Sequence, residues 1–236
     1  PAHRARPPPT IDFPHIMPET GSEVLAEATA IEPLKQKDAA RIRAMFGRVA
    51  RRYDLLNHLL SASLDRVWRR KLARSLVLPP GSRVLDLCCG TGDQALALRR
   101  PGVEIVAADF CLPMLALAAP KFRRAGGPAG QDSGGVPSTL NADALSLPFA
   151  DASFQAATVS FGLRNVADLD RALAELARVL HPGGELGVLE FTVPAWQPLR
   201  GLYLFYFQHL LPKVGSLLSK DPTAYTYLPS SVLDFP

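Results

Sequence analysis

The chain has 236 residues, a formal net charge of +4 at pH 7, 47% apolar residues and 20% charged ones. That length holds one sizeable α/β domain with a smaller appendage, and the composition excludes a disordered or fibrous chain. No apolar run reaches the roughly 18–20 residues of a spanning helix, the opening PAHRARPPP lacks the apolar core of a secretory signal, and Cys88, Cys89 and Cys111 make no disulfide framework, so a reducing cytoplasm is expected.

Residues 1–33 are rich in Pro, Ala and Thr without a sustained period and read as a loosely ordered lead-in. Residues 34–78 read as a basic N-terminal helical cap. Ile42, Met45, Phe46, Val49 and Tyr53 recur at helical spacing, and Trp68, Leu72 and Leu76 mark a second helix that stops at Pro79-Pro80-Gly81. Between Lys35 and Arg83 stand 13 of the 26 Lys/Arg residues and only 3 acids. Such a block suits an anionic membrane surface or an acidic partner, or is a solvated helix face. Aromatic residues are not interleaved with it as on a base-stacking platform, so nucleic acid is not expected.

From residue 79 onward strands and helices alternate. Arg83–Leu87 predicts a buried strand followed by a Gly-rich turn and a helix over Ala95–Arg100. Val103–Ala108 predicts a second strand ending at Asp109, and Pro113–Phe122 a second helix. Ala125–Ser138 (AGGPAGQDSGGVPS) reads as a flexible insertion. Ala156–Ser160 predicts a further strand, Leu169–Leu180 a strongly periodic helix, His181–Gly184 a turn and Glu185–Glu190 a last strand. This alternation implies a mostly parallel sheet with helices on both faces, whose ligands sit beyond the carboxyl ends of the strands.

Gly90, Gly92 and Ala95 satisfy the G-x-G-x-x-G/A spacing of dinucleotide sites, which keeps an NAD-dependent oxidoreductase in view. A pyrophosphate would sit on the helix N-terminus, where Asp93 follows Gly92 directly and Asp86 precedes the turn. Two carboxylates there favour a ligand bearing an ammonium and a sulfonium, as in S-adenosylmethionine; alternatively Asp93 caps the helix and Asp86 is a solvated strand end. Asp109 is placed to accept from both ribose hydroxyls, which supports an adenosine without separating the two cofactors. Asp143-Ala144 falls where a third strand would end, and its carboxylate is either an acceptor for the adenine amino group or a turn aspartate. The adjacent Cys88 and Cys89 lack zinc-site spacing and read as small packing residues, so no metal is expected.

Read together, FGRVARRYDLLN (Phe46–Asn57), DRVWRR (Asp65–Arg70), DLCCGTGD (Asp86–Asp93), ALSLPF (Ala144–Phe149), SFGLRNV (Ser160–Val166), RVLHPGGELGVLEF (Arg178–Phe191) and LPKVGSLLSKDPTAYTYLPSSV (Leu211–Val232) resemble the menaquinone/ubiquinone biosynthesis C-methyltransferases from about Lys35 to Pro236. The resemblance implies a Rossmann-like class I methyltransferase fold over residues 79–236, S-adenosylmethionine as cofactor, and methylation of a polyprenyl quinol ring carbon. Demethylmenaquinol is the expected acceptor, with a benzoquinol of ubiquinone biosynthesis as the alternative. By position, Thr91, Asp109, Asp143, Ala144 and Ser160 match the family's cofactor contacts, and with Asp86, Gly90 and Gly92 of the glycine turn they form the expected cofactor set. Arg164, Asn165, Tyr53 and Asp54 match the substrate-side motifs. Family chains continue further and close the sheet with antiparallel strands, so this chain reads as C-terminally truncated and, opening on Pro1, as trimmed.

A phenol-type ring carbon becomes nucleophilic once its neighbouring hydroxyl, of pKa about 10 in water, has lost its proton. A guanidinium in a dry site favours that phenolate, and Arg164 is the candidate, with Tyr53 or Asp54 orienting the ring or relaying the proton. A quinol tail held in the bilayer implies an enzyme working peripherally on the inner face of the membrane, drawn there by its basic helices. Leu202–Leu211, with Tyr203, Phe205, Tyr206 and Phe207, is a candidate lining for a tail channel or a core helix. A homodimer is a further expectation.

Overall fold

The computed structural model describes residues 38–61, 63–126, 135–192, 196–206 and 231–232. The lead-in over 1–33, residues 207–211 of the candidate tail lining and nearly all of the Leu211–Val232 motif lie outside the described residues.

Five strands, β1 (Arg83–Leu87), β2 (Glu104–Asp109), β3 (Ser138–Asn141), β4 (Phe154–Ser160) and β5 (Leu180–Leu189), form one sheet in the order β3-β2-β1-β4-β5. Every neighbouring pair is parallel. The central strands are largely apolar and buried along most of their length, as a parallel sheet covered on both faces requires, whereas the edge strand β3 is largely exposed. Alternation along β1 sends Leu85 and Leu87 to one face and Val84 to the other. Leu85 and Leu87 pack with Val159 and with Ala172, Leu176 and Val179 of α5 (Leu169–Val179). Val84 packs with Ala73 of α2 (Leu64–Ser75), Ala95 of α3 (Asp93–Ala97), and Leu115, Ala118 and Phe122 of α4 (Leu112–Ala125).

The same alternation sends Asp86 to the face of Val84, under α2 and α3. The cap helices α1 (Ala39–Leu60) and α2 follow the predicted periods: Ile42, Met45, Val49 and Ala50 are buried on α1, and Asp65, Arg69 and Ala73 on α2. A short helix, α6 (Gln197–Phe205), follows the last strand.

Three expectations are corrected. His181–Gly184 is not a turn that ends the preceding element: Leu180 already pairs with Phe154, and the next partners are Ala156 and Glu185, so the four residues bulge out of a continuing ladder. The third strand begins at Ser138, inside the stretch read as insertion, because Val106–Asp109 offers it a parallel partner. The helix after the glycine turn starts at Asp93 and ends by Ala97.

Gly92 shows how tightly the turn is built. Its φ is +87°, and a Cβ there would lie 2.4 Å from the ring of Phe122, itself 1% exposed. Gly92→Ala is therefore expected to cost at least about 2 kcal/mol of stability, read from chemical-denaturation midpoints against the parent chain.

Candidate active site

Connections from β1 and β2 lead to one edge of the sheet and those from β4 to the other, so the order reverses between β1 and β4. A doubly wound sheet opens its crevice at such a point. A cleft of about 940 Å³, counted to its open mouth, lies there. Its floor comes from the strand ends: Leu87–Thr91 after β1, Asp109–Cys111 after β2, Ala142–Leu145 after β3 and Ser160–Gly162 after β4. Phe46 and Tyr53 of α1, Arg69 of α2 and Met114 of α4 line it as well.

Two non-glycine residues at this point have left-handed backbone, Cys88 at φ 55° and Phe161 at φ 61°. Such residues cost on the order of 1–3 kcal/mol each and persist where surrounding structure over-determines them. Here Gly162 makes that possible, since a Cβ on it would stand 2.4 Å from that of Cys88. The Phe161 turn is held from behind. Its N–H donates to Leu189 of β5, and its carbonyl accepts from Arg164 Nη1 at 2.7 Å and from Asn165 Nδ2 at 3.4 Å.

The expected cofactor residues are placed as follows. Gly90, Thr91, Asp109, Asp143, Ala144 and Ser160 line the cleft. One Asp109 oxygen accepts the Gly90 N–H and the other the Cys111 N–H, each at 2.8 Å, which leaves acceptor capacity on both. Burial pushes the Asp109 carboxyl above its usual range, against those two bonds. Asp143 accepts the Leu145 N–H at 2.9 Å, so it is a turn aspartate that also faces the cleft. Ser160 is buried and its hydroxyl has no partner among the described residues. Gly92 shapes the turn from beneath and is not part of the lining.

The electrostatic reading of the glycine turn is corrected. Asp93 lines the cleft, but Lys121 meets it at 2.8 Å while also pairing with Asp54, and His58 Nε2 stands 3.6 Å away, so its charge is partly answered within the protein. Asp86 is 1% exposed, accepts from Thr158 at 2.8 Å and does not face the cleft. Asp86 therefore neither selects a cationic ligand nor repels a pyrophosphate, and Asp93 acts on the cleft only as far as Lys121 leaves its charge unanswered. Sequence could not show this because the partners lie 28, 35 and 72 residues away.

Of the substrate-side residues, Tyr53 and Asn165 line the cleft. Asp54 stands behind them, accepting from the Thr91 hydroxyl and pairing with Lys121 at 2.6 Å. Arg164 is turned away: its guanidinium is committed to Glu190 at 2.7 Å, and both side chains are about 5% exposed. The cleft-facing guanidinium is Arg69, which sequence reasoning left among the basic residues of the cap. Its register could have revealed it, since Asp65, Arg69, Ala73 and Leu76 share one helical face.

The comparisons agree with this architecture. The model of the ubiE/COQ5 methyltransferase family matches residues 34–236. The chain belongs to that family. A demethylmenaquinone methyltransferase of Parafrankia is 48% identical over 85% of this chain and 82% of its own. A ubiquinone/menaquinone biosynthesis C-methyltransferase of Geobacter is 47% identical over 83% of this chain and 82% of its own. Among solved structures, a putative S-adenosylmethionine-dependent methyltransferase of Methanococcus maripaludis shares the fold, with a TM-score of 0.53 over 78% of this chain and 82% of that one at 16% identity. The chain is therefore a methyltransferase of Rossmann-like class I fold, and fold and family together imply S-adenosylmethionine. It is the family, and not the turn carboxylates, that sets the dinucleotide reading aside.

Burial pushes the Asp86 carboxyl up to about 7, against the Thr158 bond and the charge of Arg69. A folded pKa above the unfolded 3.8 means that the folded state holds a proton the unfolded chain has released. The associated stability is complete below 3.8 and is lost as pH rises through about 7. Asp86→Asn, which keeps an oxygen for Thr158, should remove that decline; urea midpoints of both chains across this range, subtracted, test it.

Proposed function

We propose that the cleft binds S-adenosylmethionine over the glycine turn and methylates a ring carbon of a polyprenyl quinol, with demethylmenaquinol as the acceptor. The observation that carries this reading is the composition of the cleft. Its lining combines polar acceptors at the ends of β2 and β4, Asp109 and Ser160, and a turn at Asp143-Ala144, with the aromatic residues Phe46 and Tyr53 of α1, Phe110 and Phe161. An adenosine suits the acceptors and a fused ring the aromatic residues. The name of the Parafrankia relative supports the naphthoquinol; that of the Geobacter relative keeps a benzoquinol as a second acceptor to be tried.

In this reading Asp109 receives ribose hydroxyls on its remaining lone pairs, Asp143 and Ala144 border the adenine, and Thr91, Gly90 and Ser160 close around the chain that joins it to sulfur. Asp86 and Gly92 support that set from below, one under the strand end and one under the turn. When bound, the cofactor supplies an electrophilic methyl group. The protein's part is to present the ring carbon in line with it and to keep water out.

Tyr53 and Asn165 orient the ring through its hydroxyl. Asp54 fixes the α1 segment that carries Tyr53 by its bond to Thr91. Arg164 works as a positioning residue: bound to Glu190 and to the Phe161 carbonyl, it holds the turn that sets Asn165 at the wall. Purified protein with short-tail analogues and S-adenosylmethionine should give methylated naphthoquinol and S-adenosylhomocysteine in equal amounts by mass spectrometry. Faster turnover of the benzoquinol would reverse the acceptor assignment. Asn165→Ala should lower kcat by roughly a hundredfold, as misplacement of a reacting group does, while calorimetric affinity for S-adenosylhomocysteine stays unchanged.

A bilayer-held tail would bring the enzyme to the membrane as a peripheral protein on its inner, cytoplasmic face. No helix among the described residues is long and apolar enough to cross one. The surface supports the peripheral reading: Arg41, Arg43 and Arg48 of α1 and Arg66, Arg70, Lys71 and Arg74 of α2 are exposed, and Leu55, Leu64 and Val67 stand exposed on the same two helices. Trp196 and, on α6, Leu202 and Phe205 are exposed apolar groups that would serve the tail. Each cation near an anionic surface contributes about 1 kcal/mol. Co-sedimentation with anionic vesicles should therefore be strong at low salt and weak at high salt, and salt-insensitive binding would count against it. A homodimer belongs to the same reading, with sedimentation velocity as its measurement.

A further inference from the structure

Arg69 is the exception among the basic residues of α2. Arg66, Arg70, Lys71 and Arg74 point to solvent, whereas Arg69 is 8% exposed. A buried guanidinium ordinarily spends its N–H donors on close acceptors, because an unanswered charge away from water is costly. Arg164 follows that rule through Nη1, which meets the Phe161 carbonyl and Glu190 at 2.7 Å each, although its Nε has no acceptor among the described residues either. Among the described residues, by contrast, Arg69 has no acceptor within hydrogen-bond reach: its Nε is unpartnered, and the Asp65 carboxylate oxygen paired with it stands 3.8 Å away. Asp65 is drawn elsewhere, accepting from Ser61 at 2.7 Å and meeting His58 at 2.9 Å.

What holds Arg69 is the face of Phe161, its guanidinium carbon 5.0 Å from the ring centroid. That contact is with the ring face and supplies no acceptor for the N–H donors. Arg69 lines the cleft, together with Gly90, Thr91 and the partnerless hydroxyl of Ser160. Phe161 holds it there while itself in a left-handed conformation, φ 61°. A structural arginine would have been given an acceptor of its own; this one is kept within reach of whatever occupies the cleft.

We propose that Arg69 is the anion seat of the cleft, donating charge-assisted hydrogen bonds to an oxyanion of the bound ligands. The inference rests on the methyltransferase reading above, which offers two such oxyanions, the carboxylate of the cofactor's methionine portion and the phenolate oxygen of the acceptor. They share one chemistry and are separable by experiment.

Calorimetry on the full chain would compare S-adenosylhomocysteine with its decarboxylated counterpart. If the seat holds the cofactor carboxylate, the parent chain binds the intact molecule roughly ten- to a hundredfold more tightly. Arg69→Met then erases that difference by weakening the intact ligand alone, and Arg69→Lys restores part of it. If the seat holds the acceptor oxygen, Arg69→Met leaves both affinities unchanged, raises KM for the quinol analogue and moves the alkaline rise of kcat to higher pH. Equal weakening of both ligands, or no change in binding, KM or pH profile, overturns the proposal and leaves Arg69 as a brace for Asp65 and Phe161. Thermal unfolding of each variant with and without ligand separates misfolding from lost binding. Failure of the parent chain to bind either ligand would instead overturn the cofactor reading itself.

Discussion

Between β1 and β4 the chain connections depart in opposite directions, and the two strand ends are left facing a gap that no helix fills. The candidate site in the described structure is arranged around that gap. Parallel pairing brings Leu87 and Val159 side by side, and both strands then turn away within a residue or two. The turns are sharp enough to force Cys88 and Phe161 into left-handed backbone, and they fit together only because Gly162 has no side chain toward Cys88. The strain is offset by the buried sheet behind it and by Arg164 and Glu190, which grip the Phe161 turn from the far side.

The cap is fastened to this platform by polar contacts as much as by apolar ones. Lys121 of α4 joins Asp54 of α1 to Asp93 at the start of α3, the Thr91 hydroxyl reaches Asp54, and His58 lies between Asp65 of α2 and Asp93. Four helices thus meet at the glycine turn through one chain of hydrogen bonds and ion pairs. Half-buried charges of this kind contribute little net stability compared with apolar packing, and a well-attested use of such groups is to specify one arrangement among several. Here the arrangement places Tyr53 and Phe46 over the cleft, so the same contacts that seat the cap shape the aromatic part of the site.

Much of the fold was readable because it is written in local pattern. The buried runs of β1, β2 and β4 follow from apolar stretches of strand length, α1, α2 and α5 from their 3.6-residue period, and the turn after β1 from its glycines. Ser138–Asn141 was hard to read because an edge strand carries little apolar signal. His181–Gly184 misled because a bulge and a turn use the same residues. Asp109 was legible from its position alone, since it must stand at the carboxyl edge wherever the helices go, whereas Ser160 came from the family resemblance.

What the sequence determined by itself is the sheet, the place of the site along it and the family, since each depends on residue order and short-range period. What only the tertiary structure decided is the charge of that site. Asp86 and Asp93 flank the turn in sequence, yet one is sealed beneath it and the other partly answered by Lys121. Arg164 stands beside the cleft in sequence and faces Glu190, while Arg69, about twenty residues before the glycine turn and on another element, faces inward. A charge acts through its distance and burial, and these belong to the packed helices and not to any segment taken alone.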